Sequence, residues 1–178
     1  MKSYIRQVID TNVLISANKA AIGNPSDPND DVFAYPELLR NCVEVLLAIT
    51  LSNNESYVVL DANGEIFDEY KRYMSFSGHP GVGNSFFKWL HDNRGSFPNS
   101  ERVALNKTDN GYVELPEELL ELGIDKDDMK FFAVSYAHSE NPVIIQATDS
   151  KWLNWVDTAM ECGIEIVFLD EKYISDHQ

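Results

Sequence analysis

Carboxylates are the side chains in this sequence whose types and spacing could do chemistry, and Asp10 is the first of them. It closes the run Arg6-Gln7-Val8-Ile9-Asp10, a short β-branched strand pattern, and Thr11 and Asn12 follow at once where a helix would begin. An aspartate in that place has two ordinary uses. It can cap the helix, because Asp, Thr and Asn side chains accept the unpaired N–H groups of a first turn. It can also hold a ligand or metal ion, because open α/β sheets bind ligands in the crevice beyond the C-terminal tips of their strands. The local pattern fits both, so the choice depends on whether other acids reach the same edge.

Three further segments carry acids that could. Glu65 and Glu69 fall in the first turns of a helical pattern that follows a strand-like run ending at Leu60. Asp127 and Asp128 open the helical pattern that leads into the run beginning at Val143, and Asp149, preceded by Thr148, stands just beyond that run. In a parallel sheet, a helix that follows a strand starts at the strand's C-terminal edge. A helix that precedes a strand starts at the same edge, since it runs antiparallel to the strands. Four separate segments are therefore expected to deliver carboxylates to one rim. Carboxylates so gathered raise one another's pKa unless a cation joins them. A hard divalent ion such as Mg²⁺ or Mn²⁺, which takes oxygen ligands and keeps several waters, meets that need. Taken singly, each acid has a plain structural use as a helix cap or a solvated helix face; their convergence is what points to a metal site.

The elements that must position these acids can be read from periodicity. Strand-like runs occupy residues 7–10, 56–60, 143–147 and 164–168, short and apolar with little alternation, as in strands buried on both faces of a parallel sheet. Helical patterns lie between them, over residues 35–51, 61–74, 127–138 and 151–161; the first has Leu38, Leu39, Cys42, Val45, Leu46 and Ile49 on one face. Strands separated by helices predict an α/β/α sandwich with a central, mostly parallel sheet of four to five strands. Residues 20–31 and 75–84 read as loops, and the Gly-rich second loop lacks the Gly-Lys-Ser/Thr ending of a phosphate loop. Residues 84–122 form a variable insert with a helix near 86–92, a small hairpin pairing 103–105 with 112–115, and a helix begun by Pro116. Nothing marks a boundary, so residues 1–178 are expected to form a single domain.

Composition narrows the partners. With 14 Lys and Arg against 29 Asp and Glu, the net charge is −15, which argues against binding polyanions through a broad basic face. A nucleic acid would be held by a small basic patch and by the metal; Lys19, Lys71, Arg72, Lys88, Arg94 and Lys151 are the cations best placed for it. Cys42 and Cys162 make neither a disulfide framework nor a metal knuckle and read as free thiols in a reducing cytoplasm. No apolar signal core or membrane-length run occurs, so a cytoplasmic location is expected. His79, His91, His138 and His177 are scattered and read as surface or structural, and Trp152 and Trp155, spaced i, i+3, read as core. An aspartyl-nucleophile phosphohydrolase is disfavoured, because Asn12 stands where a second aspartate would be needed.

The four acidic segments together resemble the PIN domain, a family of metal-dependent nucleases. The resemblance rests on Val-Ile-Asp10-Thr-Asn-Val-Leu-Ile-Ser, on Glu-Ile-Phe-Asp-Glu69-Tyr, on Asp-Lys-Asp-Asp128-Met-Lys-Phe-Phe-Ala-Val-Ser-Tyr-Ala and on Val-Ile-Ile-Gln-Ala-Thr148-Asp149-Ser-Lys-Trp, in that order from residue 6 to about residue 170. It implies a PIN-like fold and a catalytic, metal-holding set of Asp10, Glu69, Asp128 and Asp149, with Glu65 and Asp127 as alternates to Glu69 and Asp128. It implies that Thr148 orients a neighbouring carboxylate and that Asn12 is a supporting polar residue. The implied activity is Mg²⁺- or Mn²⁺-dependent endoribonuclease cleavage, leaving a 5′-phosphate and a 3′-hydroxyl. Single-stranded RNA is the expected substrate, and an antitoxin, another protein or a second copy of the chain are the expected partners. The alternative is a PIN-like scaffold or interaction module that keeps its acids without turnover. The chain departs from the family's compact members in its longer insert and from a typical RNA-binding chain in its acidity.

Overall fold

The computed structural model describes residues 6–22, 30–51, 56–76 and 81–178. In chain order the elements are β1 (Arg6–Ile9), α1 (Thr11–Lys19), α2 (Pro36–Leu51), β2 (Tyr57–Val58), β3 (Leu60–Asp61), α3 (Glu65–Tyr73), α4 (Val82–Asn93), β4 (Arg102–Val103), β5 (Lys107–Thr108), β6 (Gly111–Tyr112), α5 (Glu117–Glu121), α6 (Met129–Ala137), β7 (Val143–Gln146), α7 (Val156–Glu161), β8 (Ile166–Phe168) and α8 (Glu171–Asp176). The central sheet has the order β2-β1-β7-β8 and every pairing in it is parallel. The chain is thus an α/β protein with a four-stranded parallel sheet flanked by helices.

The two middle strands are largely buried on both faces. Val8 and Ile9 in β1 and Ile144 and Ile145 in β7 are at most 1% exposed, which is why their runs lack polar alternation. From β1 the chain moves outward to β2 and then crosses back over β1 to β7. Right-handed crossovers in opposite directions place their helices on opposite faces of the sheet. Accordingly α1, α2 and α4 pack on one another, while α6 lies on β1 and β7 and touches α3. The reversal leaves a crevice between the C-terminal tips of β1 and β7, the switch point of the sheet. All six α2 residues with helical spacing are buried, in one contiguous core.

Several expected elements take a different form. The strand expected over 56–60 divides: β2 stays in the central sheet, and Leu60–Asp61 leaves it to pair in parallel with Arg102–Val103. The helix expected from residue 61 starts at Glu65, because Asp61 ends β3 and its carboxylate accepts the N–H groups of Glu65 and Ile66, both at 2.8 Å. The hairpin expected between 103–105 and 112–115 instead joins Lys107–Thr108 to Gly111–Tyr112. Its turn is Asp109–Asn110, and Gly111 has φ +140, where a Cβ would also meet Met129 Sδ at 2.9 Å. The helix expected over 151–161 opens as a 3-10 helix over Ser150–Trp155 and becomes α-helical only in α7. The insert is not peripheral: α4 sends Phe86, Phe87 and Leu90 into the core. Residues 23–29 and 77–80 of the two expected loops, and with them His79, lie outside the described residues.

Candidate active site

Asp10 sits at the switch point, at the tip of β1. Its own N–H donates to the Ile145 carbonyl at 3.0 Å, extending the β1–β7 pairing to the rim. The Tyr70 hydroxyl donates to the Ile9 carbonyl, which ties α3 to the same strand end. The Asp10 side chain caps α1: its Oδ1 accepts the Asn12 N–H at 2.9 Å. It is also 3% exposed, so the anticipated capping use is carried by a buried carboxylate. Burial pushes its pKa up to about 7; the Asn12 N–H opposes the rise, while the charges of Asp128, Glu69 and Asp149 add to it.

The other acids arrive as the topology requires. Glu69 projects from α3, where it accepts the Thr11 hydroxyl and pairs with the Lys130 ammonium. Asp128 stands at the N-terminus of α6, where its side chain makes no capping bond. Burial raises its pKa, against the lowering effect of Lys151. Asp149 follows β7, and its Oδ1 accepts the Lys151 N–H at 3.1 Å, so it too doubles as a cap. The Lys151 ammonium bridges this side of the rim, 2.6 Å from Asp125, 3.0 Å from Asp128 Oδ2 and 3.1 Å from Asp149 Oδ2. Its contact with Asp128 is an ion pair that offsets part of that half-buried carboxylate's charge. Partial burial works against the Lys151 charge, but the three carboxylates outweigh it and raise its pKa.

The alternates look elsewhere. Glu65 pairs with Lys107 at 2.6 Å and accepts the Tyr112 hydroxyl at 3.0 Å, so the hairpin claims it. Asp127 contributes its backbone carbonyl to Lys130. Glu69 and Asp128, rather than these neighbours, are among the charges acting on Asp10. Among the described residues no three His, Cys, Asp or Glu side chains are grouped closely enough to hold a metal ion. Two lysines pair with the site carboxylates instead, Lys130 with Glu69 and Lys151 with Asp128 and Asp149.

Three participants escaped the sequence reading. The hydroxyl on a site carboxylate belongs to Thr11, where Thr148 had been expected, and Asn12 contributes its backbone N–H. Asp61 is a buried helix-capping acid. Lys130 is 5% exposed within Met129-Lys130-Phe131-Phe132; a lone lysine in so apolar a helix signals a buried, paired cation. The histidines serve structure: His138 is buried, accepts the Glu140 N–H at Nδ1 and places Nε2 2.7 Å from the Ser100 carbonyl, and His177 pairs with Asp31. Trp152 and Trp155 are core residues, the former stacked on Phe132. Both cysteines are free. No described helix is long and apolar enough to cross a membrane. Comparison with known proteins finds no matching family model, no matching curated protein and no matching solved structure.

Proposed function

We propose that this protein is a PIN-like, divalent-metal-dependent endoribonuclease that hydrolyses phosphodiester bonds of single-stranded RNA. The observation that carries this reading is that Glu69, Asp128 and Asp149, from three other segments, act by their charges on buried Asp10 at the switch point of a parallel sheet. Among the described residues, however, no three of them are grouped closely enough to hold an ion as they stand. The donors suit a hard ion, being carboxylate oxygens throughout, and Asp10 among them is buried with a raised pKa, its charge poorly compensated. Asp10, Asp128 and Asp149 would hold Mg²⁺ or Mn²⁺, with Glu69 directly or through water. The ion would supply Lewis-acid activation of a water and neutralise charge on the leaving oxygen. The chain's own groups do the positioning. Thr11 and Lys130 fix Glu69, the β1–β7 pairing fixes Asp10, and Lys151 holds Asp128 and Asp149 together at the rim.

The test is cleavage of single-stranded RNA and of single-stranded DNA, side by side, with Mn²⁺, with Mg²⁺ and with chelator. The expected result is metal-dependent RNA cleavage leaving 5′-phosphates, reduced at least about a hundredfold in Asp10→Asn and in Asp149→Asn. Wild-type activity in both purified variants would overturn the proposal. A second reading, a scaffold that binds a basic protein partner, is favoured by the ion pairs of Lys130 and Lys151, which already neutralise part of the rim. It expects no turnover with either metal, and binding of the partner that is indifferent to Asp10→Asn.

A further inference from the structure

At the opposite edge of the sheet from the acidic rim, a cavity of about 240 Å³ opens between the ends of α2 and α4 and the first residues of β2. Its walls include three aromatic rings, Tyr57, Trp89 and Phe97, together with Ser56, Ser96 and Glu101. Glu101 is the unusual member: a carboxylate 2% exposed and, among the described residues, the one charged residue in that wall. Its Oε1 accepts from Arg6 Nε and from the Ser100 hydroxyl, each at 3.1 Å, but its Oε2 is buried without a hydrogen-bond partner. Buried carboxylate oxygens are seldom left so, because the missing donor costs roughly 1–3 kcal/mol or more. Arg6 does not fully offset the charge, since it also pairs with Glu140 at 2.7 Å; one guanidinium between two carboxylates leaves an excess negative charge.

We propose that this cavity binds a small organic cation, an aryl- or alkylammonium. Its N–H donates to Glu101 Oε2, and its apolar part lies against Tyr57, Trp89 and Phe97. The charge excess selects against anions and the orphan oxygen selects for a donor. Tyr57 already carries a cation against its ring, the Arg6 guanidinium 5.5 Å from the centroid, so an aromatic ring here does meet positive charge. Turning the carboxylate about its soft last torsion brings Oε2 toward an entering donor without backbone movement, and strains the bonds that Oε1 accepts from Arg6 and Ser100, which the new bond must offset. The volume lies just below the roughly 300 Å³ at which pockets for drug-sized ligands begin, which suits a single ring or a short chain. This proposal does not depend on the nuclease reading, because none of its residues belongs to the acidic rim.

The experiment is calorimetric titration of the full chain with benzylammonium, phenethylammonium and butylammonium at constant ionic strength, with benzyl alcohol and benzoate as neutral and anionic counterparts. At least one ammonium is expected to bind at least about tenfold more tightly than benzyl alcohol, and benzoate not at all. Glu101→Gln keeps the shape and removes the charge, and is expected to weaken ammonium binding at least about tenfold. Ser96→Phe, at an exposed position on the cavity wall, fills the space and is expected to abolish binding. Equal affinity for benzyl alcohol, unchanged affinity in a folded Glu101→Gln, or no ammonium binding by the wild type each overturns the proposal. Should Glu101→Gln fail to fold, unchanged binding in Ser96→Phe overturns it alone.

Discussion

Asp10 is asked for two things that pull in opposite directions. As a cap it must be buried and fixed against the first turn of α1; as a charge it is disfavoured by that same burial and by the acids around it. The conflict has a measurable consequence. Its folded-state pKa of about 7 lies above the 3.8 of a free aspartate, so between those values the folded chain keeps a proton that the unfolded chain has shed. Stability without a divalent cation should therefore be fullest below about pH 4 as far as this group is concerned. It should fall as pH rises toward 7, by up to roughly 1.4 kcal/mol per unit. Asp128 is shifted in the same direction, by burial first, and adds to the slope. Denaturant titrations of wild type and Asp10→Asn across pH 4–8 isolate the contribution: the two curves should diverge with pH, and saturating Mn²⁺ should flatten the wild-type curve alone. Parallel curves would mean that Asp10 does not titrate where its burial places it.

At the scale of elements, the rim is held by close backbone packing as much as by polar contacts. Gly83, in the first turn of α4, lies against α1 so tightly that a Cβ there would come within 2.1 Å of the Leu14 carbonyl oxygen. Backbone cannot yield as a flexible side chain would, so Gly83→Ala should force the two helices apart. A loss of about 2–4 kcal/mol, read as a lower denaturation midpoint with an unchanged slope, is expected. Because α1 carries Asp10 at its cap and Thr11 against Glu69, the proposed nuclease activity should fall with it. This contact was invisible in the sequence, where Gly83 read as part of a loop. What was legible followed periodicity: the apolar runs of β1 and β7 and the six-residue stripe of α2 each bury one kind of face, and a pattern of that sort has one reading. The acids on the rim followed from those elements, since strand and helix ends fix the edge to which a side chain goes. The register of the 107–112 hairpin and the departure of Leu60–Asp61 from the central sheet were not legible, because two-residue strands carry no period. They are chosen by tertiary contacts, such as the seat of Gly111 against Met129. The choice of Glu69 over Glu65 had a similar origin: both share one helix face, and it is Lys107 and Tyr112, brought over by the hairpin, that draw Glu65 away.

For the whole molecule the governing quantity is the net charge of −15, and it complicates any test for a cation at the rim. A chain so acidic repels itself in the folded state, and any salt that screens the repulsion stabilises it. Mn²⁺ would therefore raise the melting temperature even with no site. The two effects separate by their dependence on concentration and on Asp10. Screening follows ionic strength, with a reach that shrinks from roughly 30 Å at 0.01 M to 10 Å at 0.1 M, and acts on the exposed carboxylates at large rather than on buried Asp10. Raising NaCl from about 0.01 to 0.5 M should lift the melting temperature of wild type and Asp10→Asn by the same few degrees. Mn²⁺ added at fixed ionic strength leaves screening constant and acts only by differential binding, as the logarithm of its concentration over its Kd. In wild type the melting temperature should then climb further, by about 2–4 °C for each kcal/mol of linkage, and in Asp10→Asn it should not. A Mn²⁺ shift that survives in Asp10→Asn at fixed ionic strength would assign the cations to the acidic surface at large. The four carboxylates at the switch point would then owe their proximity to capping and ion pairing alone, through Asn12, Lys130 and Lys151.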